Sequence, residues 1–143
     1  MNSRVHTWNL HPAVTTPSRW ALGVLFVIAG LAKLGNPAQL ALDTANFRLL
    51  PAGAENLVAI VLPWIELTAG AALLSGARAR AAAWLVTALM VVFTLAVAAA
   101  MARGLNITCG CFGTLDAPRV GALKLADNGA ILALCAVACR RRA

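Results

Sequence analysis

Residues 81–102 read AAAWLVTALMVVFTLAVAAAMA, 22 positions without a charged side chain. At about 1.5 Å of rise per residue, a helix of this length crosses the ~30 Å of hydrocarbon in a bilayer. The rest of the chain has the same character. Of 143 residues, 61% are hydrophobic and only 12% charged, with a mean hydropathy of +0.80. A soluble domain this small has too little interior to hide so much apolar side chain.

Working outward, three more apolar stretches fall at about residues 20–34, 57–74 and 120–139. The first is the shortest. Arg4 and Arg19 precede it and Gly30-Leu31-Ala32 lies near its end, a layout also found in cleaved signal peptides. Lys33, Leu34, Gly35, Asn36 and Pro37 continue instead like a helix end, so we read a retained span. Between the first two spans, Leu40, Phe47 and Leu50 recur near helical spacing beside Asp43 and Arg48, bounded by Pro37 and Pro51. That pattern predicts a short helix lying on the membrane surface. Residues 1–17, with His6, His11, Pro12 and Pro17, read as an irregular cytoplasmic lead-in, and 18–143 as one membrane domain without internal repeat or linker. The expected fold is all-α: a polytopic bundle of four transmembrane helices with one short interfacial helix.

Loops rich in Lys and Arg stay in the cytoplasm, which sets the orientation. With four spans, Arg4, Arg19, Arg78, Arg80, Arg140, Arg141 and Arg142 share one side, against Arg48, Arg103 and Arg119 on the other. Both termini are therefore expected in the cytoplasm. The net charge of +7 is mostly a topology signal, and anionic lipid headgroups are its natural partners. Nucleic-acid binding does not fit, because the basic residues are split among separate loops.

This topology puts Asn106-Ile107-Thr108-Cys109-Gly110-Cys111-Phe112-Gly113 on the outer, oxidising side. A bridge between cysteines two positions apart closes a very small ring, and bridges forced from favoured geometry are easier to reduce. Three readings of Cys109 and Cys111 remain open here: a reversible dithiol, a fixed disulfide pinning the loop, or a soft-metal site. The metal reading is the poorest, because a closed zinc site wants four ligands and both histidines lie on the opposite side. Cys135 and Cys139 lie one turn apart toward the inner end of the fourth span, roughly 20–30 Å from its outer end. They read as small buried apolar residues.

Lys33, Glu66, Lys124, Asp127 and Asn128 are polar residues inside or at the ends of spans, where such groups usually face a bundle interior and pair with one another. They are expected to form a polar layer beneath the cysteine loop and to contact any cofactor. A lysine there favours a nearby thiolate; the alternative is that Lys33 and Lys124 snorkel to the headgroups. Glu66 follows Pro63 within its helix, where the proline frees backbone carbonyls. It reads as an ion-pair partner of Lys33, or as a proton-handling or quinone-contacting group lining a small cavity.

Gly30-Leu31-Ala32-Lys33-Leu34, Leu62-Pro63-Trp64-Ile65-Glu66-Leu67 with Gly70, and Arg103-Gly104 leading into Cys109-Gly110-Cys111-Phe112-Gly113 resemble the MauE branch of the DoxX-like membrane proteins. The resemblance covers roughly residues 20–139, and the Cys-Gly-Cys-Phe-Gly stretch is its specific part. Asp127-Asn128 departs from the pattern, since relatives often carry a basic residue before that asparagine. The resemblance implies a bacterial inner-membrane protein of the methylamine-utilisation type. Such a protein supports thiol/disulfide exchange and maturation of a periplasmic enzyme, together with a thioredoxin-like partner. Related DoxX-like proteins are linked to quinone-coupled oxidation of sulfur compounds, which makes a quinone the candidate cofactor. The reading of another class is a non-catalytic subunit of a larger membrane oxidoreductase, or a homo-oligomer, with Cys109 and Cys111 in a static disulfide. A transporter built on the polar layer is a third reading, and four helices without a repeat argue against it.

Overall fold

The computed structural model describes residues 12–109 and 120–139. Five helices follow one another: α1 (Pro12–Leu34), α2 (Pro37–Asn46), α3 (Ala54–Ser75), α4 (Ala79–Ala102) and α5 (Ala122–Cys139). All but α2 are long and apolar enough to cross a membrane. Residues 12–17, expected to be irregular, are instead the opening turns of α1. Proline is well suited to the first helical position, where its amide has no partner to lose, and a second proline, Pro17, costs one bond near the helix start.

The four long helices close a ring in which α1 packs on α3 and α5, and α4 packs on α3 and α5. The α1–α3 contact is the most extensive, and glycines make it close. A Cβ at Gly70 would stand 2.8 Å from the Gly23 carbonyl oxygen, and one at Gly30 would stand 2.9 Å from the Pro63 carbonyl oxygen. Small residues of this kind let helix backbones approach in lipid, where dispersion rather than water expulsion drives association. At the far end, the Arg19 guanidinium donates to the Leu73 carbonyl at 3.4 Å and ties the start of α1 to the end of α3.

Short connections keep neighbouring helices antiparallel. Gly76, at φ 79°, ends α3 with its amide bonded to the Ala72 carbonyl, and α4 starts three residues later. The left-handed conformation at that position is one that glycine adopts without a steric cost. Asn36 caps α2, its side chain accepting from the Gln39 amide at 3.1 Å, with Pro37 at the first helical position. The expected interfacial helix is thus present between the first two spans, ending at Asn46.

The bundle is divided along its length. Leu22, Phe26, Leu73, Val86, Met90 and Cys135 belong to an apolar core in the half that holds the α3–α4 turn and the end of α5. The other half holds the end of α1, the starts of α3 and α5, the end of α4, and α2. Its buried groups include Lys33, Glu66, Lys124 and Asn128.

Candidate functional site

The site forms where the last turn of α1 faces the middle of α3. Lys33 Nζ donates to both carboxylate oxygens of Glu66, at 3.0 and 2.9 Å, and the two side chains are 1% and 2% exposed. Snorkelling of Lys33 to the headgroups is therefore overturned: its ammonium is inside the bundle, with the Phe93 ring centroid of α4 at 6.0 Å. The buried pair satisfies both charges mutually, which is how ionised groups persist in a low-dielectric interior.

Helix α5 contributes the rest of the buried polar set. Lys124 is buried and is a like-charged neighbour of Lys33. Asn128, one turn later, is 2% exposed, and no hydrogen-bond partner reaches its Nδ2. With Glu66, Met90 and Phe93 it lines a cavity of about 20 Å³, the small cavity expected beside Glu66. Asp127, expected in the same layer, is exposed. The inward row of α5 runs through Lys124 and Asn128, one turn apart, and Asp127 falls beside it on the exposed face.

The cysteine loop is anchored above this layer by α2. Asp43, 5% exposed, accepts from Gln39 Nε2 at 2.9 Å and from the Thr108 hydroxyl at 3.2 Å. Arg103, at the end of α4, donates to the Phe47 carbonyl at 3.0 Å, and the Val120 amide donates to the Ile107 carbonyl at 2.8 Å. These bonds fix both flanks of the loop. Asp43 had not been singled out as a site residue. Its signal in the sequence is its position, since an acid between Leu40 and Phe47 at helical spacing lies on the apolar stripe itself.

Cys109 is disulfide-bonded and 6% exposed. Cys111 lies outside the described residues. Cys135 and Cys139 are free thiols near the opposite end of the bundle, with Cys139 Sγ 3.4 Å from the Thr87 hydroxyl. Between α2, α3 and α4 lies a second, larger cavity of about 510 Å³. Its walls are apolar, from residues such as Leu50, Val58, Leu62 and Ala96, apart from Lys33, Asp43, Thr44 and Cys109. Lys33 therefore belongs both to the ion pair and to the wall of a chamber that Cys109 also lines.

Four membrane-length helices closed around a buried ion pair, with a cysteine-bearing loop pinned at one end, define a small multi-pass membrane protein. The model of the family "Methylamine utilisation protein MauE" matches residues 11–141, and the chain belongs to that family. It is 38% identical over 104 residues to the methylamine utilization protein MauE of Paracoccus denitrificans, covering 72% of this chain and 56% of that protein. It is 40% identical over 102 residues to the one of Methylorubrum extorquens, covering 71% and 55%. Identity to the Paracoccus versutus protein is 38% over 124 residues, covering 86% and 67%. The chain thus spans little more than half the length of the first two curated relatives. No solved structure matches it.

Proposed function

We propose that this protein is a methylamine-utilisation accessory protein of the bacterial inner membrane, and that it exchanges thiols and disulfides through Cys109 and Cys111 to support maturation of an extracytoplasmic enzyme of the methylamine dehydrogenase type. The name shared by its relatives supports the pathway. The distribution of Arg supports an orientation with both termini inside and the cysteine loop outside.

One observation carries the chemistry. Cys109 is oxidised, held in place through Thr108 and Asp43, and part of the wall of an apolar chamber that also contains Lys33. An oxidised cysteine in that position is set to accept electrons. In this reading a thiolate of a thioredoxin-like partner attacks the disulfide and forms a mixed disulfide. The partner's second thiolate then resolves it, leaving the partner oxidised and the Cys109–Cys111 pair as a dithiol. Lys33 stabilises the thiolate that leaves, and Glu66 holds Lys33 in place.

The burial of Cys109 also favours a second reading, a fixed disulfide that staples the loop of an assembly subunit within a larger membrane oxidoreductase. Cys109→Ser and Cys111→Ser, made separately, divide the two. Exchange predicts that either substitution abolishes maturation while the protein still accumulates in the membrane, and that a partner lacking its second cysteine is trapped on the wild-type protein as a mixed disulfide. A staple predicts lower protein levels and no trapped species.

A further inference from the structure

The larger cavity is a cleft rather than a sealed void. Its wall passes from buried Leu62 and Val97 to Leu49, Leu50, Val92 and Leu95, which are 43–64% exposed. In a membrane-spanning bundle the outward positions of α4 face hydrocarbon, so lipid has direct access to the space. Its volume, about 510 Å³, is ample for a small-molecule ligand.

The polar groups in the wall are already engaged within the protein. Lys33 donates to Glu66, Asp43 accepts from Gln39 and Thr108, the Thr44 hydroxyl donates to the Leu40 carbonyl at 2.7 Å, and Cys109 is disulfide-bonded. A ligand that carried polar groups into the chamber would have to compete for these partners, and burying such groups unpaired is costly. The interior therefore selects hydrocarbon.

The charge lies at the rim. Arg48 stands between Phe47 and Leu49, both of which line the cleft, and it is exposed. Arg103 donates from Nη1 to the Phe47 and Arg48 carbonyls at 3.0 and 3.5 Å, which brings a second exposed guanidinium to the same rim. The acid of this segment, Glu55, accepts from the Gly53 amide at 2.9 Å, and the rim keeps a net positive charge with it counted. Two guanidinium groups beside an apolar cleft complement a phosphodiester joined to a hydrocarbon chain.

We propose that the cleft between α2, α3 and α4 binds one anionic diacyl phospholipid, with an acyl chain in the chamber and the phosphate on Arg48 and Arg103. The chain fills the space that α2, seated on α3, leaves toward α4. Its dispersion contacts thus support the helix whose Asp43 anchors the cysteine loop. Neither contact involves the redox state of Cys109, so the site is independent of the exchange reading.

The test uses the full chain in detergent, with retained lipid counted by native mass spectrometry. The probes are dioleoyl phosphatidylglycerol and dioleoyl phosphatidylcholine, which share acyl chains and differ in headgroup charge. The proposal expects one tightly held phosphatidylglycerol and weaker retention of phosphatidylcholine. Arg48→Gln should lower phosphatidylglycerol affinity about fivefold, the weight of one basic residue at a lipid surface, and phosphatidylcholine affinity much less. Ala96→Trp, which fills the chamber, should weaken both lipids.

Photolabelling of the wild-type protein in nanodiscs, with a phosphatidylglycerol that carries a diazirine in one acyl chain, does not depend on whether a variant folds. Label on Leu50, Val58, Leu62 or Ala96 that unlabelled phosphatidylglycerol displaces better than phosphatidylcholine supports the site. Label spread equally over the outward Trp20, Trp64 and Trp84 overturns it and leaves only the lipid that surrounds any bundle. Label in the chamber that both lipids displace equally overturns the anionic headgroup. A dimer that retains no lipid and keeps label out of the chamber overturns the proposal in favour of a second copy of the chain.

Discussion

Lys33 Nζ lies 3.0 and 2.9 Å from the two carboxylate oxygens of Glu66, joining the end of α1 to the middle of α3 where neither side chain meets solvent. Each of these two buried charges is tolerated only while the other is present to pair with it. Truncating one leaves the other buried and unpaired, at a cost of about 3–5 kcal/mol, whereas an apolar replacement of both is close to neutral. Lys33→Met and Glu66→Leu should each lower the unfolding midpoint in detergent strongly. The double variant Lys33→Met with Glu66→Leu should recover most of the loss while remaining inactive in maturation. Equal destabilisation by the double and single variants would contradict the pairing.

The α1–α3 contact predicts a contrast between two glycines. Gly70→Ala places a methyl group 2.8 Å from the Gly23 carbonyl oxygen, a backbone atom with little room to move. Overpacking of this kind costs about 1–3 kcal/mol. Gly129→Ala on α5 meets nothing within 4 Å and removes a helix-destabilising residue, so it should stabilise by about 1 kcal/mol or less. Thermal unfolding of the two variants side by side checks the close approach.

Asp43 is the anchor of the cysteine loop, through the 3.2 Å bond from the Thr108 hydroxyl. Loss of one such bond is worth about 0.5–1.5 kcal/mol, equivalent to a few-fold to about tenfold in local opening. Asp43→Ala and Thr108→Val should therefore raise the rate at which a water-soluble reductant opens the Cys109 disulfide by that factor, and the double variant should add little to either. Additive effects would show that the two residues act separately.

Asn128 gives the opposite sign from Glu66. Its Nδ2 is buried without a partner, so replacing it with an apolar residue of similar size removes a desolvation cost. Asn128→Leu should be neutral or stabilising by up to about 1 kcal/mol. A loss larger than that in thermal unfolding would mean that the amide makes a bond of structural weight.

Some of this was legible in the sequence for physical reasons. The run at 81–102 forces a membrane helix because no other structure satisfies its backbone in lipid. Lys33 and Glu66 announced a pair because isolated charges are too costly there. The start of α1 was missed because Pro12 and Pro17 read as breakers, although proline near a helix start loses few bonds. Asp127 was placed inside with Asn128, although the buried row of α5 runs through Lys124 and Asn128 and leaves Asp127 exposed. The large cavity was not legible at all, since it arises from the way α2 stands against α3 and α4 rather than from any local pattern.

The central claim is that the Cys109 disulfide cycles, and its reduction potential tests that most directly. Thiol labelling of Cys109 in membranes equilibrated across a series of defined potentials should give a reversible two-electron midpoint at roughly −120 to −270 mV, the range of thiol–disulfide exchange proteins. A bridge that stays oxidised below about −300 mV would contradict the account and leave Cys109 in a structural staple.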